Sequence, residues 1–218
     1  MTEDITTISA GQLDAVERTL SMTEHDDAMT AVATLSQVYD TSVADVWDAC
    51  TSADRLPRWF LPVSGDLELG GHYQLEGNAG GTVEACDPPS SFRISWEFGG
   101  NVSWVTVRVD PAGKDAARLT LEHTAPAALP NDFWQTYGPG ATGVGWDLAL
   151  LGLALHLATG ADKPAEGSGW EQSEEARAFI AGSSRRWADA SVAAGTPEEQ
   201  ARAAERNTTA FYTGQPTE

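Results

Sequence analysis

Gly143-Val-Gly-Trp-Asp-Leu-Ala-Leu-Leu-Gly-Leu-Ala-Leu-His-Leu157 is the stretch on which the reading of this chain turns. Trp146, Leu150, Leu153 and Leu157 recur at helical spacing, and Leu148, Leu151 and Leu155 add a second apolar stripe. A helix that is apolar nearly all round is covered on both sides. Upstream of it the pattern changes period. Phe92, Ile94, Trp96 and Phe98 share one face, with Arg93, Ser95 and Glu97 on the other. Val105, Val107 and Val109 alternate with Trp104, Thr106 and Arg108, and Leu119, Leu121 and His123 with Thr120, Glu122 and Thr124. One dry face and one wet face describe antiparallel strands covered on one side. Gly70-Gly71, Gly80-Gly81, Pro88-Pro89, Gly99-Gly-Asn101 and Pro111-Ala-Gly113 punctuate them at hairpin spacing. The fold class is α+β: a curved antiparallel sheet around one long helix, with an apolar cavity between them.

Ahead of the strands lie two short helical pieces, Ser42-Val-Ala-Asp-Val-Trp-Asp-Ala-Cys50 and Ala53-Asp-Arg-Leu-Pro-Arg-Trp-Phe60. Ser42 and Ser52 are placed to cap them, and Asp45 falls in the first turn, at the positive helix end. Ala28 to Tyr39 is rich in β-formers and reads as the first core strand. Residues 1 to about 12 read as a loose acidic tail, Leu13 to Met22 as an added strand, and Glu24-His-Asp-Asp27 as a turn. Gly138 to Gly145 reads as a flexible approach to the long helix.

The sheet covers only one side of that helix, so the C-terminal residues are expected to cover the other. Ala161 to Gly169 is a polar linker. Beyond it Ile180, Ser183 and Trp187 share a helical face, with Phe179 beside them. A last helix opens at Thr196-Pro-Glu-Glu199, where Thr196 would cap and Glu199 complete a capping box. Ala201, Ala204, Thr208 and Phe211 would line its buried side. The division expected is 1–27 for the N-terminal tail and extra strand, 28–159 for the main domain, and 160–218 for a helical hairpin packed within the chain or against a second copy.

Composition works mainly by exclusion. Thirteen basic residues face 32 acidic ones, for a formal charge of −19. Nucleic acid, whose binding rests on phosphate neutralisation, is a poor partner for such a surface, and so is an anionic membrane. No apolar run approaches the ~20 residues that span a bilayer, and the start, Met1-Thr-Glu-Asp-Ile, has no signal-peptide character. A cytoplasmic location is the resulting expectation. Cys50 and Cys86 have no metal-ligand spacing and read as buried free thiols. Four scattered histidines show no HxH or HExxH spacing, so no metal and no cofactor is expected.

No nucleophile signature is present, and no catalytic residue is assigned. His25 falls in the acidic turn, His72 in a hairpin and His156 among leucines. His123 is different, because it shares the inward stripe with Leu119 and Leu121. There an imidazole orients a ligand hydroxyl or carbonyl, moves protons, or simply satisfies a neighbour. Trp47, Trp59, Phe60, Tyr73, Trp96 and Trp146, with Leu150, supply the wall of a mostly apolar ligand site. Plain core packing is the alternative for each. Trp104 and Arg108 lie on the wet face and suit a partner contact.

Val43-Ala-Asp-Val-Trp-Asp-Ala49, followed by Leu56-Pro-Arg-Trp-Phe60, resembles the opening of the START-like SRPBCC superfamily, in the branch of the activator of the heat-shock chaperone ATPase. Gly65-Asp-Leu-Glu-Leu-Gly-Gly71, Gly81-Thr-Val-Glu-Ala-Cys-Asp-Pro-Pro89, Phe92-Arg-Ile-Ser-Trp96, Leu119-Thr-Leu-Glu-His123 and Gly145-Trp146 follow in order. The resemblance covers about Ala28 to Leu157. It implies a helix-grip fold and a cavity for hydrophobic small molecules; relatives include lipid carriers, hormone receptors, polyketide aromatase/cyclases and chaperone co-factors. Three functions follow: a non-catalytic binder of an apolar or aromatic small molecule, a module binding a chaperone or regulator, and an aromatase/cyclase-like enzyme in which His123 moves protons. A homodimer through the C-terminal helices also fits. Fold does not fix function, and the binder ranks first.

Overall fold

The computed structural model describes residues 2–25, 28–126, 133–165 and 167–215. In chain order it contains α1 (Thr2–Ala15), β1 (Glu17–His25), β2 (Ala28–Tyr39), α2 (Val43–Thr51), α3 (Leu56–Trp59), β3 (Val63–Gly65), β4 (His72–Leu75), β5 (Gly80–Asp87), β6 (Ser91–Phe98), β7 (Asn101–Pro111), β8 (Ala117–Pro126), α4 (Phe133–Tyr137), α5 (Gly140–Thr159), α6 (Glu174–Ala193) and α7 (Glu198–Thr213). The eight strands form one antiparallel sheet in the order β1-β2-β8-β7-β6-β5-β4-β3. This is the helix-grip arrangement of sheet and long helix, extended by helices at the C-terminus. Two compact units divide the chain: Met1–Ala33 with Pro126–Leu151 and Pro164–Glu218, and Thr34–Ala125 with Gly152–Lys163.

In the first unit the residue that sets the packing is Asp147. It is the one charged side chain in α5, and it is fully buried. A buried carboxylate needs a countercharge and donors for its lone pairs. Arg18 of β1 supplies both: Nη2 reaches Oδ1 at 2.8 Å and Nε reaches Oδ2 at 3.0 Å. Ser183 of α6 donates to Oδ2 at 2.5 Å, and the Trp187 indole donates to the same oxygen at 3.0 Å. The remaining Arg18 nitrogen holds the Leu13 and Val16 carbonyls at 2.9 and 2.7 Å. One carboxylate thus joins β1, α5 and α6.

Glycines let the helices come close. A Cβ on Gly143 would stand 2.3 Å from the Trp187 ring, and one on Gly182 would stand 2.4 Å from Leu13. Tyr212 of α7 donates to the Ala141 carbonyl at 2.8 Å, and Thr208 donates to that of Tyr137 at 2.9 Å. The expected hairpin therefore packs on the N-terminal half of α5 through Ser183 and Trp187, and Phe179 and Ile180 of the same helix are buried as well.

Several expectations change. The acidic tail is helix α1, and the extra strand begins at Glu17 rather than Leu13. Glu24 and His25 extend that strand instead of turning; residues 26 and 27 lie outside those described. The Gly138–Gly145 approach is absorbed by α5 from Gly140 onward, because its glycines serve contact with Trp187, Thr208 and Tyr212. Helix α4 was unforeseen. At Thr196 no capping box forms: its hydroxyl accepts from Ser191 at 2.9 Å, and α7 begins after Pro197 without a side-chain cap. Phe211 is 56% exposed and not on the buried side, since Ala210 and Thr208 take that position.

α5 reaches 20 residues, so by length and composition it is apolar enough to cross a membrane, contrary to the shorter run read from sequence. Sixty-one per cent of that window is buried within the protein, as in the core helix of a folded domain.

In the second unit α2 is capped by Ser42, whose hydroxyl accepts from the Asp45 amide at 3.2 Å. α3 is a single turn, and Ser52 closes the end of α2 through its backbone instead of capping α3. Trp59 buries its ring and donates to the Ala49 carbonyl at 2.9 Å. A Cβ on Gly152 would meet the Trp59 carbonyl at 2.4 Å, so α3 lies against the end of α5 at backbone distance. Buried His156 is fastened twice: Arg55 Nε donates to Nε2 at 3.2 Å, so Nδ1 carries the hydrogen given to the Ala161 carbonyl at 3.1 Å.

Asp147→Asn preserves volume but leaves Arg18 buried beside a neutral group, so it is expected to cost about 3–5 kcal/mol in urea denaturation. The double variant Arg18→Met/Asp147→Leu should cost much less than the two single changes summed. A loss below about 1 kcal/mol for Asp147→Asn would contradict the role given to the pair.

Candidate functional site

The inner face of β6, β7 and β8 is set by register. Phe92 pairs with Val107, Ile94 with Val105 and Trp96 with Ser103, while Val105 also faces His123 and Val107 faces Leu121. Val105, Val107, Val109, Leu119 and Leu121 are all buried, as the alternation predicts. Toward the Gly99-Gly100 turn the same face becomes polar: Ser103 and His123 are buried there, and Trp96 is half-buried above them.

The three side chains form one unit. The Trp96 and His123 ring centres are 6.0 Å apart at 57°. The single Ser103 hydroxyl hydrogen goes to the Trp96 carbonyl at 3.3 Å. The 2.9 Å contact between His123 Nε2 and Ser103 Oγ therefore runs the other way, with Nε2–H donating. Burial pushes the His123 pKa down to about 4. The imidazole is neutral at pH 7 and held in one tautomer, which suits it to orient a polar group better than to carry protons.

The other expected wall residues are spread out. Trp47 is half-buried on α2 and meets Phe92 edge-to-face at 6.0 Å. On one strand Phe92 and Trp96 are four residues apart, roughly 13 Å. Trp59 stacks on Phe60 at 5.5 Å, and its indole nitrogen is already engaged by α2. Tyr73 is buried and donates to the Ser95 carbonyl at 2.7 Å. Burial, and then the Glu97 charge, pushes its phenol pKa up. Trp146 and Leu150 are buried in the first unit's part of α5.

Ser95 corrects the simple alternation. It belongs to the wet face yet is buried, because its hydroxyl accepts from the Thr82 amide at 2.9 Å and donates to Glu97 at 3.1 Å. A Cβ on Gly81 would stand 2.2 Å from the Ser95 carbonyl, so the paired strands β5 and β6 are at their closest here.

On the outer face Trp104 donates to Glu84 at 3.1 Å, and the Arg93 guanidinium lies 5.6 Å from its ring. The other Glu84 oxygen holds Arg93 at 2.9 Å. Arg108 pairs with Glu122 at 2.8 Å. Cys50 is buried, with its thiol pushed up to about 12, whereas Cys86 is only half-buried, against expectation. Among the described residues no group of three or more His, Cys, Asp or Glu is placed to hold a metal ion. Ser103 was not singled out from sequence. The signal was there: it begins the stripe that continues as Val105, Val107 and Val109.

Fold and site together define a helix-grip protein of the START-like SRPBCC class. The profile described as "Activator of Hsp90 ATPase homolog 1-like protein" matches residues 40–158, more than half of the chain, and the chain belongs to that family. The crystal structure of CalU16 from Micromonospora echinospora is 30% identical, with a TM-score of 0.64 over 81% of this chain and 98% of that one. Its solution structure is 29% identical, with a TM-score of 0.66 over 83% and 97%. DynU16, from the dynemicin biosynthetic locus, shares the fold at 20% identity and a TM-score of 0.52, over 60% of this chain and 48% of that one. No curated protein matches the chain.

His123 gives a measurable pH signature. Its folded-state pKa lies below the ordinary 6.5, so the unfolded chain binds the extra proton between about pH 4 and 6.5. Its contribution is complete above pH 6.5 and is lost as pH falls toward 4, about 3 kcal/mol in all. His123→Gln should flatten the stability–pH curve in that window. Identical curves for the two proteins would show that His123 is not held neutral by burial.

Proposed function

We propose that the chain binds an apolar or aromatic small molecule on the inner face of the helix-grip domain, without transforming it. The observation that carries this reading is the half-buried Trp96 over the buried His123–Ser103 pair. Such a group supplies an aromatic face beside fixed polar atoms on an otherwise apolar wall, the usual composition of a ligand site. Family membership and the likeness to CalU16 support it, as does the origin of DynU16 in a biosynthetic locus. The depressed His123 pKa makes that imidazole a weak base at neutral pH, which favours binding over a cyclase-like proton transfer.

A second reading, a protein-binding module, rests on Trp104. Glu84 and Arg93 hold its ring rigid on the outer sheet face, and a pre-organised aromatic is a common anchor of interfaces. The relation to activators of a chaperone ATPase gives this reading its partner class.

Native mass spectrometry of the purified protein, compared with its denatured mass, tests for a carried ligand. Binding of 2-naphthol, followed by tryptophan fluorescence, then tests the site. Trp96→Ala is expected to weaken it about tenfold, equivalent to ~1.4 kcal/mol, and Trp104→Ala to leave it unchanged. Equal affinity in wild type, Trp96→Ala and His123→Ala would sink the assignment.

A further inference from the structure

The sheet order ends at β1, whose only strand neighbour is β2 among the described residues. On the far side, alternate main-chain N–H and C=O groups of β1 face away from the sheet. Among the described residues, no turn, cap or loop hydrogen bond uses the main-chain groups of residues 18–24. Natural edges of this length are guarded by proline, lysine, a bulge, short length, an inward-pointing charge or a covering element. The inward charge of β1, Arg18, is neutralised by Asp147. Glu-Arg-Thr-Leu-Ser-Met-Thr-Glu-His, residues 17–25, is nine residues long and contains no proline, glycine or lysine.

We propose that β1 is a self-complementary edge onto which a second copy of this chain adds its own β1, antiparallel, about a twofold axis at Ser21. The sequence matches its own reverse in kind. In that register Thr19 opposes Thr23, Leu20 opposes Met22, Arg18 opposes Glu24, and Glu17 opposes His25. No like charges meet, and hydroxyl and apolar pairs are favourable cross-strand pairs. The faces agree as well. Thr19, Ser21 and Thr23 are exposed on one side, while Leu20 is buried and Met22 half-buried on the other. The axis makes the contact isologous, each residue meeting its counterpart twice.

Charge favours this edge over the rest of the surface. The chain carries −19, but residues 17–25 hold two acids and one arginine, a formal −1 with His25 neutral. Repulsion between the remaining charges is screened beyond about 8 Å at physiological ionic strength. Arg18 is committed to Asp147, so the added strand needs nothing from its guanidinium.

Directly opposed residues of an antiparallel pair have Cα atoms about 4.5–5.5 Å apart, within disulfide reach. The test uses Cys86→Ser protein, in which the remaining native thiol, Cys50, is buried. Under oxidised glutathione, Ser21→Cys is expected to form a covalent dimer. Thr23→Cys alone should not, because its own counterpart lies four residues away, roughly 13 Å. A mixture of Thr19→Cys and Thr23→Cys chains should cross-link with each other. Native mass spectrometry should show a dimer of the wild type, and Thr19→Lys/Thr23→Lys should convert it to a monomer with an unchanged circular-dichroism spectrum and a Tm that no longer depends on protein concentration. A monomeric wild type, failure of Ser21→Cys to cross-link, or self-linking of Thr23→Cys at the same rate would overturn the proposal.

Discussion

A carboxylate with no solvent exposure is tolerated only where a countercharge and hydrogen-bond donors surround it, and Asp147 imposes that condition on three elements together. Arg18 must arrive from β1, and Ser183 and Trp187 from one face of α6. Each positions its element in rotation and in register along α5. A buried pair of this kind adds little stability compared with apolar residues of the same volume. Its force lies in exclusion, because any packing that separates Asp147 from Arg18 leaves a charge stranded in the core. An otherwise apolar helix has many ways to sit against its neighbours. The single acid removes most of them.

Close approach is the second constraint. Gly143, Gly152 and Gly182 lie inside helices, where glycine is about 1 kcal/mol less favourable than alanine. Each stands where a Cβ would collide: with Trp187, with the Trp59 carbonyl and with Leu13. The large rings of this chain are therefore used in two ways. Trp187 and Trp59 pack against backbone with their indole nitrogens satisfied internally. Trp96 and Trp104 stay half-exposed, one on each side of the sheet.

The difference between those two is chemical as well as positional. Trp104 is held by charged groups that remain hydrated, Glu84 and Arg93. Trp96 stands over groups that have lost their water, and burial keeps His123 neutral. Polar atoms removed from solvent discriminate sharply among ligands, since any left unpaired costs free energy. That makes the inner face the more selective surface of the domain.

Much of this was legible in the residue pattern. Strand β2 runs over Ala28–Tyr39 as read, and the inward valines, Leu119, Leu121 and His123 are buried as alternation requires. Periodicity reports which face of an element is dry, so it fixed the sheet, the long helix and the C-terminal hairpin. It misjudged ends and exceptions. Thr196 lost its cap to Ser191, Ser95 went under β5, and the glycines before Trp146 became contact points. Each depends on a specific partner that periodicity does not report. The same holds for the site: the chain named His123 and Trp96, but not Ser103, whose hydroxyl fixes the tautomer. Sequence alone determined which apolar stripes turn away from water, because local alternation of hydrophobicity decides that. Only the tertiary structure decided which polar atoms leave with them, because each such atom needs a partner that only folding brings within hydrogen-bond distance.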